Sequence, residues 1–178
     1  MIRKMKVFFI ITALFFAQFS FAEKADRKKP VYLEADRATV EDVNRKESSR
    51  ISIFTGNVIL TQGTMRIHAD KLVMKEDLDG FKHATATGDL VSFRQKRDGL
   101  DEYVEGWSQR VEYDSKTDKI ELFRQARLKR GVDEVQGDYI SYDMNTEFFK
   151  VIGSKERGVE SGPDKRVRIT IQPKNKSE

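Results

Sequence analysis

Short runs in which apolar and polar residues alternate recur along the chain. Met65, Ile67 and Ala69 alternate with Arg66, His68 and Asp70, and Val167, Ile169 and Ile171 alternate with Arg168, Thr170 and Gln172. Residues 134–142 follow the same two-residue period around Gly137. Successive side chains of a strand point to opposite faces, so this period predicts β-strands with one apolar face. Turn pairs separate the runs at Gln62-Gly63, Asp79-Gly80, Asp98-Gly99, Asp114-Ser115 and Arg130-Gly131. No long helical period interrupts them, and the chain holds only three prolines. The reading is all-β: antiparallel strands folded into a sandwich, jelly roll or β-solenoid.

The strands also repeat. Ala35-Asp36, Ala69-Asp70, Gly106-Trp107 and Gly137-Asp138 each open an alternating apolar stretch, and their second members are 34, 37 and 31 residues apart. A second ladder lies between them at Gly56-Asn57, Gly88-Asp89 and Gln125-Ala126, with Gln125 where a glycine is expected. A period of this size predicts one supersecondary unit stacked on copies of itself. Periodicity alone leaves open a generic exported sandwich whose apolar rows are only core.

The first 22 residues break the pattern. Arg3, Lys4 and Lys6 precede an apolar run from Val7 to Phe16, and Ser20-Phe21-Ala22 follows. This is the layout of a cleavable secretory signal, with the cut expected before Glu23. The run is too short to span a bilayer, which takes about 20 apolar residues. Three of the 33 basic residues leave with the segment, so 30 remain against 29 acidic ones. A near-neutral chain lacks the basic footprint of a nucleic-acid binder. Without cysteine there are no disulfides, and stability outside the cytoplasm rests on the core. A folded unit over residues 23–173 and a polar tail at 174–178 are expected.

Residues 54–73 (Phe-Thr-Gly-Asn-Val-Ile-Leu-Thr-Gln-Gly-Thr-Met-Arg-Ile-His-Ala-Asp-Lys-Leu-Val) resemble the hallmark segment of the OstA-like family, specifically of its periplasmic bridge proteins of lipopolysaccharide transport. Residues 30–36, 104–106 and 136–142 fit the same pattern in the same order. The chain departs from it at Asp42 to Arg50, which reads as a lengthened polar hairpin loop, and at Trp107, where a small polar residue is usual. The resemblance implies an open, V-shaped β-jelly roll with an apolar groove along its length. It implies head-to-tail self-association, and joining to like-folded domains of an inner-membrane-anchored and an outer-membrane component. Lipopolysaccharide would then cross the periplasm along the bridge. An acyl chain of about a dozen carbons left in water would cost about 10 kcal/mol, at roughly 0.8 kcal/mol per CH₂. A continuous trough avoids that cost.

With the resemblance in hand, the strand period selects the groove residues. Val31 and Leu33 face inward, with Tyr32 and Glu34 outward; Phe54, Val58 and Leu60 form one inward row, and Met65 with Ile67 the opposite one. Phe93, Val111, Tyr113, Leu122, Leu128, Ile140 and Tyr142 continue the lining. The first and last strands, with Val31 and Leu33 at one end and Val167, Ile169 and Ile171 at the other, run between Pro30 and Pro173 without blunting residues and predict open pairing edges.

Catalytic and metal chemistry find little support. His68 and His83 are the only histidines, too few for a zinc site that wants three or four N or S ligands. No nucleophile–base ordering or phosphate loop stands out, and the recurrent aspartates are explained by hydrogen bonds in turns. No cofactor or metal is expected, and the chain does not read as an enzyme. A non-polymerising carrier or chaperone for an apolar ligand shares the groove and differs only in its ends. A polysaccharide-acting β-solenoid would gather carboxylates on one face.

Overall fold

A computed structural model describes residues 26, 28–44, 49–154 and 166–173. The leader at 1–22 and the tail at 174–178 lie outside the described residues. Ten antiparallel strands form one sheet: β1 (Val31–Glu34), β2 (Arg37–Asn44), β3 (Ser49–Gln62), β4 (Met65–Asp77), β5 (Gly80–Lys96), β6 (Tyr103–Asp114), β7 (Lys119–Arg130), β8 (Asp133–Asp143), β9 (Phe149–Ile152) and β10 (Arg168–Thr170). The order is β1-β3-β4-β5-β6-β7-β8-β10, with β2 also on β3 and β9 also on β8. Among the described residues the sheet does not close. The expected turns at 62–63, 79–80, 98–99, 114–115 and 130–131 all fall at strand ends.

Strands β3 to β8 each hold 11 to 17 residues, about twice the usual length. Each bends once. The pairing register slips between Thr55 and Val58, His68 and Lys71, Thr87 and Val91, Trp107 and Arg110, and Phe123 and Ala126. Extra residues at such a bulge bend the strand and raise its twist. Aligned across the sheet, the bulges make one corner, and every long strand serves two layers. One layer, here the upper, holds β2, β9 and the segments 49–55, 71–77, 80–87, 110–114, 119–123 and 139–143. The lower layer holds β1, β10 and the remaining halves.

The internal repeat marks this corner. Asp36 lies between β1 and β2, its N–H donating to the Gly56 carbonyl at 2.9 Å, and its carboxylate accepts from Asn57 Nδ2 at 2.9 Å. Gly56 has φ +80°, and a Cβ there would collide with the Asp36 carboxylate, so two separate constraints select glycine. On the next pair of strands, Asp70 accepts from the Asp89 N–H at 3.2 Å. Asp36 and Asp70 thus tie corners, while Asp77, Asp114 and Asp143 accept backbone N–H groups in the hairpin turns. Gln125 does take a glycine-like conformation, with φ 52° beside Arg124 at 65°.

Two expectations change. The third copy of the repeat is out of phase: the β6 bulge lies at Ser108-Gln109, after Gly106-Trp107. Gly106 instead sits on the inner face of the lower layer, against Leu122 of the upper one. The lengthened loop at Asp42–Arg50 is largely strand, because β2 and β3 continue their pairing through Asp42↔Arg50 and Asn44↔Ser49, which leaves only 45–48 as the connection.

Candidate functional site

The inner faces of the two layers meet in one apolar cluster. Of the residues expected to line a groove, Val58, Leu60, Met65, Ile67, Phe93, Val111, Tyr113, Leu122, Leu128, Ile140 and Tyr142 are all buried, at 3% exposure or less. Val31, Leu33 and Phe54 are half-buried and pack against them. All fourteen face inward. The interior is filled by its own side chains.

Their arrangement differs in one respect from the sequence reading. Leu60 is the direct partner of Ile67 across β3 and β4, so Met65 and Ile67 stand beside Leu60 on the same wall. Phe54 belongs to the other wall, because the Gly56-Asn57 bulge carries β3 from one layer to the other. A bent strand supplies both walls.

The ends of the sheet are open. At the first edge Val40, opposite the buried Ser52, faces inward yet is 57% exposed. At the last edge Ile169, opposite the buried Val135, is also 57% exposed, and Val167 and Ile171 at 38% and 75% continue the same side. Among the described residues β1 pairs only with β3, and β10 only with β8. Each end therefore presents an edge strand beside uncovered apolar side chains. The last strand is shorter than the 166–171 alternation suggests, since pairing is limited to Arg168–Thr170.

Opposite the corner, where the layers could part, a polar clasp joins them. No local pattern in the sequence announces it, as its members are 50 residues apart. Arg97 lies in the β5–β6 turn of the lower layer and Glu147 in the β8–β9 turn of the upper. Arg97 donates to Glu147 from Nε to Oε1 at 3.0 Å and from Nη2 to Oε2 at 2.6 Å. Its Nη1 donates to Glu102 at 2.6 Å. Arg130, on the inner face beside Val104, donates from Nη1 to the Glu147 carbonyl at 3.2 Å and lies over the Phe149 ring. The hydrogen bonds to Glu147 hold the Arg97 guanidinium above its ordinary value. Those from Arg97 hold the Glu147 carboxyl below its own, against the effect of burial.

The outer face is polar and ring-stacked. Arg127 lies 4.1 Å from the centroid of Trp107, its direct cross-strand partner, and Arg94 lies 3.7 Å from that of Tyr103. Trp107 thus points away from the interior, where its size costs the core nothing. Among the described residues no group of three or more His, Asp or Glu is placed to hold a metal ion.

A single antiparallel sheet bent into two layers, with an apolar interior and unpaired ends, defines an open β-jelly roll. The family model for the LptA/(LptD N-terminal domain) LPS transport protein matches residues 32–148. The lipopolysaccharide export system protein LptA of Escherichia coli K12 is 30% identical over 159 residues, covering 85% of this chain and 74% of the relative. LptA of Haemophilus influenzae is 30% identical over 152 residues, covering 84% and 85%. LptH of Pseudomonas aeruginosa is 22% identical over 178 residues, covering 99% and 98%. The crystal structure of LptH, described as the LptA-homologous periplasmic component of the lipopolysaccharide transport device, superposes with a TM-score of 0.72 at 23% identity over 83% of this chain and 99% of that one. The chain belongs to the LptA/LptD N-terminal domain family of lipopolysaccharide transport proteins.

Proposed function

We propose that the chain, freed of residues 1–22, is a periplasmic bridge component that carries lipopolysaccharide between the inner and outer membranes. The single observation that carries this reading is the two-layer apolar interior that reaches the solvent at both open edges of the sheet, with Val40 exposed at one and Ile169 at the other. Acyl chains are held between the layers, lined by the inward residues from Val31 to Tyr142. Edge strands of one copy extend the sheet of the next by β-augmentation, and like-folded domains of an inner-membrane-anchored and an outer-membrane component cap the row. A binding protein with sealed ends would bury those edges. The apolar path lowers the cost of crossing water, and the energy for direction comes from elsewhere in the system.

The test is depletion in the cell. Loss of the chain leaves newly made lipopolysaccharide in the inner-membrane fraction, and expression of the wild-type chain returns it to the surface. Unchanged delivery in depleted cells overturns the proposal.

A further inference from the structure

The clasp is a candidate ligand site in its own right. Its two arginines stand where the layers would separate, and its anion, Glu147, comes from the opposite layer. The interior is packed with its own side chains, so a lipid chain entering from this side must part the layers here. Parting them pulls Glu147 away from Arg97, whose side chain is 17% exposed. Its Nε and Nη2 then lose their acceptors while Nη1 keeps Glu102, and a poorly solvated cation stripped of most of its pairing is costly. A guanidinium pairs with phosphate in the same forked geometry as with carboxylate, and phosphate brings more charge and one more oxygen. The turns that carry the clasp also expose large apolar side chains beside it: Leu100, Val132 and Phe148 are 44%, 64% and 68% exposed. Charge flanked by uncovered apolar surface fits an amphiphile better than a free ion.

We propose that Arg97 and Arg130 receive the phosphate-bearing headgroup of a lipid whose chains lie between the layers, and that Glu147 fills this site until the lipid arrives. The inference rests on the reading that the interior takes lipid chains. It makes the mouth self-sealing: the headgroup replaces the internal anion as the layers separate, and Glu147 returns when the lipid moves on.

The test compares binding of lipopolysaccharide with that of the same lipid stripped of phosphate by a phosphatase, using the purified mature chain. The wild type binds the phosphorylated form about tenfold more tightly. The variant Arg97→Gln/Arg130→Gln binds both forms alike, and Glu147→Gln binds the phosphorylated form several-fold more tightly than the wild type does. Inorganic phosphate at the lipid's concentration leaves the lipid bound; displacement would assign the site to the free anion and overturn the headgroup assignment. An unchanged preference in a cooperatively melting double variant overturns the proposal and leaves lipid binding intact. Failure of the wild type to bind either lipid overturns the reading beneath it. If the double variant does not fold, Arg130→Gln alone, which keeps the Arg97–Glu147 pair, decides: a reduced preference supports the site and an unchanged one overturns it.

Discussion

A Cβ on Gly106 would stand 2.7 Å from Cδ2 of Leu122, with Phe93 and Leu128 side chains 3.5 and 3.6 Å away on its other sides. Gly106 belongs to the lower layer and Leu122 to the upper, so this glycine sets how closely the walls approach. Leu122 is fully buried and has little room to turn aside. Gly106→Ala is expected to cost about 1–2 kcal/mol, lowering the melting temperature by several degrees. Gly106→Val is expected to cost more. Thermal denaturation followed by circular dichroism checks both; a wild-type melting temperature for Gly106→Val would contradict this packing.

The corner yields a pair of opposite predictions. Gly56→Ala places a side chain at φ +80° and into the Asp36 carboxylate, and is expected to destabilise by about 2 kcal/mol or more. Gln125→Gly relieves a left-handed backbone at φ 52°. A left-handed residue costs roughly 1–2 kcal/mol, against roughly 0.5–1 for the added freedom of glycine. The variant should therefore be about 0.5–1 kcal/mol more stable. Denaturant melts of the two variants decide the signs.

The corner also explains what could be read from the sequence. Within one layer the two-residue period holds, so Leu60, Ile67, Phe93 and Leu128 were correctly turned inward. Across the corner the period depends on the bulge. In β3 the inner face passes from Phe54 to Val58 with parity kept, whereas in β4 it passes from Ile67 to Leu72 with parity reversed. No rule of alternation carries across both, which is why alternation alone groups Phe54 with Val58 and Leu60 although the corner puts it on the other wall. The same bulges were visible as a repeat, because Asp, Asn and Gly suit them chemically, but Trp107 hid the third corner two residues away. The Arg97–Glu147 clasp left no local signal, since its geometry arises only when the turns of two layers meet.

The clasp makes stability depend on pH. Glu147 has its carboxyl held below the ordinary 4.5 by Arg97, so its contribution is present above that value and is lost as the pH falls through the lower folded-state value. At pH 7, Glu147→Gln is expected to cost about 1–2 kcal/mol, or a few degrees of melting temperature. The gap between wild type and variant should close on acidification below 4.5. A gap that stays constant through that range would show that the pair contributes nothing as an ion pair.

If the edges pair as proposed, the oligomeric state depends on concentration. Heterologous edge contacts do not close on themselves and give open filaments. The mature chain should therefore grow head to tail with concentration in static light scattering. Ile169→Asp, or deletion of Val167 to Glu178, should leave a folded monomer that no longer supports transport. Polymerisation of the deleted chain at matched concentration would rule out the C-terminal strand as the joining edge.

Strand β1 offers a direct test of whether lipid lies between the layers. Leu33 faces inward beside Leu60, and its neighbour Tyr32 faces outward and is 63% exposed. A photo-reactive side chain is placed at each position in turn, in living cells, and the protein is irradiated and probed for attached lipopolysaccharide. The account predicts capture from position 33 and little or none from position 32. Equal capture from both faces, or capture from 32 alone, would contradict it.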